Sequence, residues 1–342
     1  MPQPLRQAES EALLGWYRRH RRDLPWRRTS DPYAIWVSEV MLQQTQVATV
    51  IDYWHRWMAA FPTVEALAAV DEESVLGLWQ GLGYYRRCRM LLAGARYLVE
   101  QGLPTTAAEW EKVPGIGRYT AGAISSIAQG VPAPLVDGNV ERVYARLEGD
   151  EANGPALTKN AWRWAEINVN REAPGDWNQA LMELGATLCT PVAPQCGRCP
   201  LSPSCIALKS DRVGELPRPT PKPATVELLH RTYILRCGER FGVRRIPEGQ
   251  WWHGMFEFPR EECPAPHSEL RKLPAQKIGS VKHTVTHHRI TLEVFSGEIE
   301  EPIPNLEWKN AQELEVIPMP SPQRKALALW HKKRLQKDLN LS

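Results

Sequence analysis

The sequence predicts an all-α module followed by a mixed α+β module, and three features of the 342-residue chain carry that expectation. From about residue 6 to 208, apolar residues recur at three- and four-residue steps between short Gly/Pro breaks, the spacing of amphipathic helices. Residues 211–225, DRVGELPRPTPKPAT, hold four prolines and no apolar periodicity, the composition of a linker. Beyond it the texture turns to alternation, with Ile290, Leu292 and Val294 on one side of a strand. The expected domains are therefore residues 1–210 and 226–342, joined by the linker at 211–225.

Within the first module, helical stretches are expected over 34–60, 64–79, 87–101, 106–112, 118–129, 139–147 and 177–188. In the second, strands are expected over 226–236 and 288–295. Ser321-Pro322 reads as an N-cap followed by proline at the first helical position, opening a helix to about residue 337. No fixed-period repeat is present.

Hydrophobic residues at 43% and charged residues at 24% mark an ordinary globular chain and exclude a disordered one. No apolar run is long enough to span a bilayer, and the start, MPQPLRQAES, has no apolar core of the secretory kind. A monomer in the cytoplasm is expected, at the nucleoid in a bacterium or in the nucleus of a eukaryote. The net charge of +3 does not by itself indicate nucleic acid. Arg18, Arg19, Arg21, Arg22, Arg27 and Arg28 crowd one segment, and Arg86, Arg87 and Arg89 follow a glycine turn. Such patches suit phosphates, and they equally suit a solvated helix face.

Seven cysteines in a reducing compartment do not suggest a disulfide framework. Four of them, Cys189, Cys196, Cys199 and Cys205, lie in CTPVAPQCGRCPLSPSC with the spacing C-x6-C-x2-C-x5-C. Four thiolates on so short a loop make a soft-ligand cage, and both zinc and a 4Fe-4S cluster accept one. Zinc sites more often show two C-x2-C pairs; here there is one close pair and two wider gaps. Arg198 and Lys209 on this loop could meet phosphates. Cys88, Cys237 and Cys263 are scattered and read as structural.

Residues 113–124, VPGIGRYTAGAI, join two helical stretches through Gly115 and Gly117, which lack Cβ and so let backbone N–H groups approach a phosphate. That is a helix–hairpin–helix arrangement, a clamp on a DNA backbone. Asp137 follows in VDGNVERV, at a helix start, where an N-cap role competes with a functional one. Glu39 sits amid Val37, Val40, Met41 and Leu42 in YAIWVSEVMLQQTQVATV. It is either on a solvent edge or partly desolvated, and desolvation raises a carboxyl pKa as a general acid requires.

LPWR at 24–27, SEVMLQQTQV at 38–47, GLGYY at 81–85, PGIGRYTAGAI, DGNV and the cysteine loop occur in the order found in adenine DNA glycosylases of the MutY type. The chain resembles that family over residues 16–208, within the endonuclease III superfamily of helix–hairpin–helix glycosylases. The resemblance implies a 4Fe-4S cluster on the four cysteines. It implies Glu39 as proton donor and later water-activating base, and Asp137 as the group that stabilises or transiently bonds the sugar cation. Asn139 and Tyr119 would organise the site around Asp137 and the sugar. Trp26, Arg27 and Gln179 match positions lining the adenine pocket, and Gln44 and Tyr84 match residues that wedge into the gap left by a flipped base. Two carboxylates suit the chemistry: adenine must be protonated to leave, and the oxocarbenium-like sugar needs a nearby negative charge. The base must first be flipped out of the stack.

A glycosylase-lyase for oxidised pyrimidines would carry a Schiff-base lysine where this chain has Tyr119, so a monofunctional enzyme is implied. A thymine-mismatch glycosylase could share the tyrosine but would lack so large an appended domain. That domain resembles the NUDIX-like module of the family through RRIPEGQWWHGMFEFP at 244–259, without an acidic metal-binding box. It is expected to recognise the oxidised guanine opposite the adenine. Where the family's reading loop shows Phe-Ser-His, this chain has Val285-Thr286-His287, which keeps a hydroxyl and an imidazole and loses the aromatic wedge. The expected substrate is duplex DNA with A opposite 8-oxoguanine or guanine. A non-catalytic DNA scanner and a nucleotide-pool hydrolase are the alternatives; Glu39 and Asp137 argue against the first, the missing metal box against the second.

Overall fold

The computed structural model describes residues 4–221, 223–264 and 269–339; the outermost residues of the expected domains and Lys222 of the linker lie outside the described residues. The chain divides into two compact units, Met1–Val70 with Met90–Pro221, and Asp71–Arg89 with Lys222–Ser342. No helix among the described residues is long and apolar enough to cross a membrane.

The first unit is built from helices. Its core is made by Leu13 and Tyr17 of helix Gln7–His20, Val140 and Tyr144 of Gly138–Glu148, Trp164 of Gly154–Asn168, and Trp177 and Leu181 of Pro174–Thr187. Helix Pro32–Leu42 starts where Asp31 Oδ1 accepts from the Tyr33 amide at 3.0 Å and Pro32 supplies a preset φ. Every residue from Tyr33 to Met41 is buried, so this helix has no polar face and belongs inside the unit. The continuous helix expected over 34–60 is broken after Leu42, where Gln44 takes a left-handed φ of 55°, and resumes at Val47–Ala60. The stretch expected over 64–79 also divides, because Asp71 Oδ1 accepts from the Ser74 amide at 2.8 Å and caps a new helix, Glu72–Trp79.

The hairpin forms as expected. Thr106 and Glu109 close a capping box on helix Ala107–Trp110, and helix Arg118–Ile127 follows the glycine turn. Gly115 has φ 82°, and a Cβ there would stand 2.4 Å from Met90 Cβ, so only glycine fits. Gly185 serves a different purpose. A Cβ on it would lie 2.6 Å from Asn139 Cβ, so its absence lets helices Pro174–Thr187 and Gly138–Glu148 touch where Asn139 sits.

The second unit holds a mixed sheet. Its strands are β1 (Val226–Cys237), β2 (Arg240–Arg245), β3 (Phe256–Glu257), β4 (Arg260–Glu262), β5 (Ala275–Val285), β6 (His288–Glu298) and β7 (Glu307–Lys309). The order is β3-β2-β1-β6-β5, with β4 also on β1 and β7 on β2. β1 and β6 run parallel along their whole length, and β5 is antiparallel to β6. Ile290, Leu292 and Val294 are buried as the alternation implied. Helix Ser321–Leu339 lays Ala326, Leu327 and Trp330 on this core, Trp330 meeting Phe241 edge-on at 5.1 Å. Ser321 is the first helical residue and not the cap before it.

Residues 71–89 belong to this unit through charges that sequence distance conceals. Arg89 Nε donates to Glu72 Oε1 at 2.7 Å, its Nη2 donates to the His253 carbonyl, and Arg245 pairs with Glu73 at 3.1 Å.

Filling the contact at Gly185 should overpack the helical unit. Gly185→Ala is expected to lower unfolding free energy by about 1–3 kcal/mol, read from urea denaturation midpoints.

Candidate active site

One cavity of roughly 570 Å³ opens within the helical unit and brings together eight of the residues singled out by sequence: Trp26, Arg27, Glu39, Gln44, Tyr119, Asp137, Asn139 and Gln179. Glu39 reaches it from the helix without a polar face and is only 5% exposed, so the desolvated reading holds over the solvent-edge one. Tyr119 Oη donates to Glu39 Oε2 at 2.6 Å and also lies 3.3 Å from Met182 Sδ. Burial pushes the Glu39 carboxyl up to about 7; the Tyr119 bond and Arg27 pull it down, and the charge of Asp137 adds to the rise. Burial, with Glu39 and Asp137 nearby, pushes the Tyr119 hydroxyl well above its ordinary range, so it stays a proton donor.

For Asp137 the two competing readings coincide. Its Oδ1 accepts from the Val140 amide at 2.8 Å as an N-cap, and the cap holds the side chain in the cavity wall. Its Oδ2 accepts from Asn139 Nδ2 at 2.9 Å. Asn139 is itself held, since Arg142 Nη2 donates to its Oδ1 at 2.8 Å and to the Gly185 carbonyl at 2.8 Å. Arg142 Nε donates to the Cys189 carbonyl at 2.8 Å, which ties this wall to the cysteine loop.

The opposite wall carries Arg22, Arg27 and Glu183. Burial alone would raise the Glu183 carboxyl, but Arg22 and Arg27 donate to it at 2.8 Å and hold it down at about 2. Sequence reasoning missed Glu183 and Met182. The signal was there: Glu183 stands four residues after Gln179, on the same helix face, in the otherwise apolar run ALMELGA. Trp26 is buried and meets Trp54 at 6.2 Å. Gln179 Nε2 donates to the Gly175 carbonyl at 3.3 Å, and Gln44 faces the cavity from its left-handed turn. Gly115 and Gly117 lie in the hairpin turn and not in the cavity wall. Tyr84, Thr286 and His287 belong to the other unit; Tyr84 is 48% exposed with φ 48°, and Thr286 is exposed with φ 52°.

Residues 37–166 match the HhH-GPD superfamily of base excision DNA repair proteins, and residues 231–329 match the NUDIX domain family. An adenine DNA glycosylase of Buchnera aphidicola is 30% identical over 340 residues, covering 94% of this chain and 98% of that protein. The chain belongs to the adenine DNA glycosylase family. The human family member is 49% identical over 277 residues, 75% of this chain and 50% of its own, so the chain spans about half the length of the human relative. Among solved structures, a thermostable thymine-DNA glycosylase superposes with a TM-score of 0.54 at 26% identity, over 59% of this chain and 95% of that one. Endonuclease III trapped as a covalent intermediate with DNA gives 0.51 at 25%, over 59% and 94%.

In this member of the adenine DNA glycosylase family the cysteine loop is closed by short turns at Cys196–Arg198 and Ser202–Ser204, and all four thiols are free and half-buried. Among the described residues no three His, Cys, Asp or Glu are arranged to hold a metal ion. Burial pushes the Cys199 thiol up to about 11, and the other three cysteines act on it electrostatically. Arg146 Nη1 donates to Cys189 Sγ at 3.4 Å. In the NUDIX unit the resembling stretch ends on Glu257, which is buried between Arg244 at 2.8 Å and Arg260 at 2.9 Å, a structural use of its charge.

The Glu39 carboxyl sets a pH signature on folding. Its native value of about 7 lies above the ordinary 4.5, so between those values the native state keeps a proton that the unfolded chain has released. Stability should therefore fall as pH rises through that window, by on the order of a few kcal/mol, and level off above it. Glu39→Gln should flatten this slope; urea midpoints at about pH 5 and about pH 8 for both proteins provide the measurement.

Proposed function

We propose that the protein is a monofunctional DNA glycosylase that hydrolyses the N-glycosidic bond of adenine mispaired with 8-oxoguanine or guanine, in base excision repair. The observation that carries this reading is the desolvated Glu39 carboxyl, bound by Tyr119 at 2.6 Å, in one cavity with the capped carboxylate of Asp137. A carboxyl near 7 is still protonated in part at neutral pH and can give its proton to a ring nitrogen of the extruded base. Protonation makes adenine a neutral leaving group. As the glycosidic bond breaks, Asp137 faces the developing sugar cation, and Asn139 fixes which carboxylate oxygen points at it. Glu39, now ionised, takes a proton from the attacking water. No amine stands where Tyr119 stands, so strand scission through a Schiff base is not part of the reaction.

Trp26, Arg27 and Gln179 would line the base pocket, and Gln44 and Tyr84 would fill the stack behind the flipped base. The hairpin at Gly115 and Gly117 would hold a phosphate on backbone N–H groups. The four cysteines suit a 4Fe-4S cluster. They are reduced and share one short loop, and the Arg146 guanidinium lies against Cys189, matching the negative charge of a thiolate-bound cluster. Such a cluster, when bound, would brace residues 189–205 and hence the Arg142 contact to Cys189. In this assignment residues 1–210 form the glycosylase domain, 211–225 the linker and 226–342 the lesion-recognition domain. The enzyme would act as a monomer on duplex DNA, in the cytoplasm and at the nucleoid in a bacterium.

The deciding experiment is base release from duplexes with A opposite 8-oxoguanine, guanine, cytosine or thymine, with and without alkali. Strand breaks only after alkali, fastest opposite 8-oxoguanine, are expected. Release should weaken above about pH 7 as Glu39 ionises, and Glu39→Gln should lose at least about hundredfold in rate while keeping DNA affinity. No adenine release from any duplex would refute the proposal. Release of thymine or an oxidised pyrimidine instead would redirect it to the other branches of the superfamily.

A further inference from the structure

The loop between β5 and β6 carries more aromatic surface than its own residues supply. Val285 pairs with His288 across the two strands, so Thr286 and His287 form a two-residue turn. Thr286 adopts φ 52° there, a conformation that a β-branched residue takes only under constraint. Five rings gather at this turn within the one unit. His287 lies 4.1 Å from His288, His288 lies 5.1 Å from Trp251, Trp251 lies 6.1 Å from Trp252, and Trp252 lies 5.7 Å from His283. Trp252 also holds a left-handed φ of 64°, which turns the two neighbouring indoles apart so that each meets a different histidine. Trp251 remains 37% exposed, a large apolar ring facing solvent.

The surroundings select the occupant. Lys282 and Arg289 are exposed on the two strands that bear the turn, and Lys325 is close enough to act on His283. Exposed aromatic rings inside a cationic rim are the composition of a surface that stacks nucleobases and tracks phosphates. The sequence has no aromatic ring at 285, where one would lie next to the turn hydroxyl; Trp251 brings one to the same place from the segment 246–255.

We infer that Trp251, seated on His288, is the stacking surface for the purine opposite the excised base and replaces the ring that Val285 does not carry. The inference rests on the mispair-specific reading given under Proposed function. Thr286 would then offer its hydroxyl to the edge of the base that Trp251 holds by its face. Trp251 is thereby a specificity-determining residue, in a different unit from the carboxylates.

The test uses the full chain carrying Glu39→Gln, so that duplexes are bound and not consumed. Affinities for a duplex with A opposite 8-oxoguanine and for a fully paired duplex are read by fluorescence anisotropy. Adding Trp251→Ala should weaken mispair binding about tenfold and leave the fully paired duplex unchanged. Trp251→Phe should stay within about threefold of the parent, and Val285→Phe combined with Trp251→Ala should restore most of the preference. Preference unchanged in Trp251→Ala, equal loss on both duplexes, or a loss that Val285→Phe does not restore would each overturn the inference alone. A parent that does not prefer the mispair overturns this inference and the functional reading together.

Discussion

The helical unit is organised around one costly act, the burial of a carboxyl group in a helix with no polar face. Placing Glu39 in Pro32–Leu42 deprives the carboxyl of water, and the surroundings compensate only in part. A hydroxyl donates to it, one arginine lies near enough to help, and a second carboxylate opposes them. A site built for stability would have paired Glu39 fully. Arg22 and Arg27 do pair fully, but with Glu183, which leaves Glu39 the poised group and Glu183 the inert one. The separation of two buried glutamates into opposite protonation behaviour by their partners is the electrostatic basis of the proposed acid–base role.

That arrangement depends on helices approaching closely. Asp137 is oriented by its own cap, Asn139 by Arg142, and Arg142 by carbonyls of Gly185 and Cys189. Each link is a fixed donor or acceptor, and the bare backbone at Gly185 is what brings the last helix near enough. The wall therefore behaves as one positioned piece, running from the cysteine loop to the carboxylate.

Much of this was legible in the chain. The period of apolar residues gave the helices, and the glycines of 113–124 gave the hairpin, because these are local properties. Motif order brought Glu39, Tyr119, Asp137 and Asn139 into one site before any coordinates. The break at Gln43–Gln46 was missed because short polar runs inside an amphipathic pattern look like its solvent face, and the left-handed Gln44 leaves no compositional mark. Glu183 was missed because its importance lies in partners about 160 residues away. Strands β2 and β5 lack clean alternation: β2 is mostly buried and β5 mostly exposed, so neither reads as half-buried. The aromatic gathering at the β5–β6 turn was invisible for the same reason as Glu183, since Trp251 reaches it only through the fold.

The division of the chain also has a consequence in time. Residues 71–89 are made early, yet their ion-pair and carbonyl partners, Arg245 and His253, follow more than 150 residues later. On a ribosome the helix Glu72–Trp79 emerges long before the strands that complete its unit. It must wait, with Trp79 and Cys88 uncovered or shielded by other means, until nearly the whole polypeptide has been synthesised. The second unit is therefore post-translational in its completion, and the early segment is the natural client of whatever guards nascent chains.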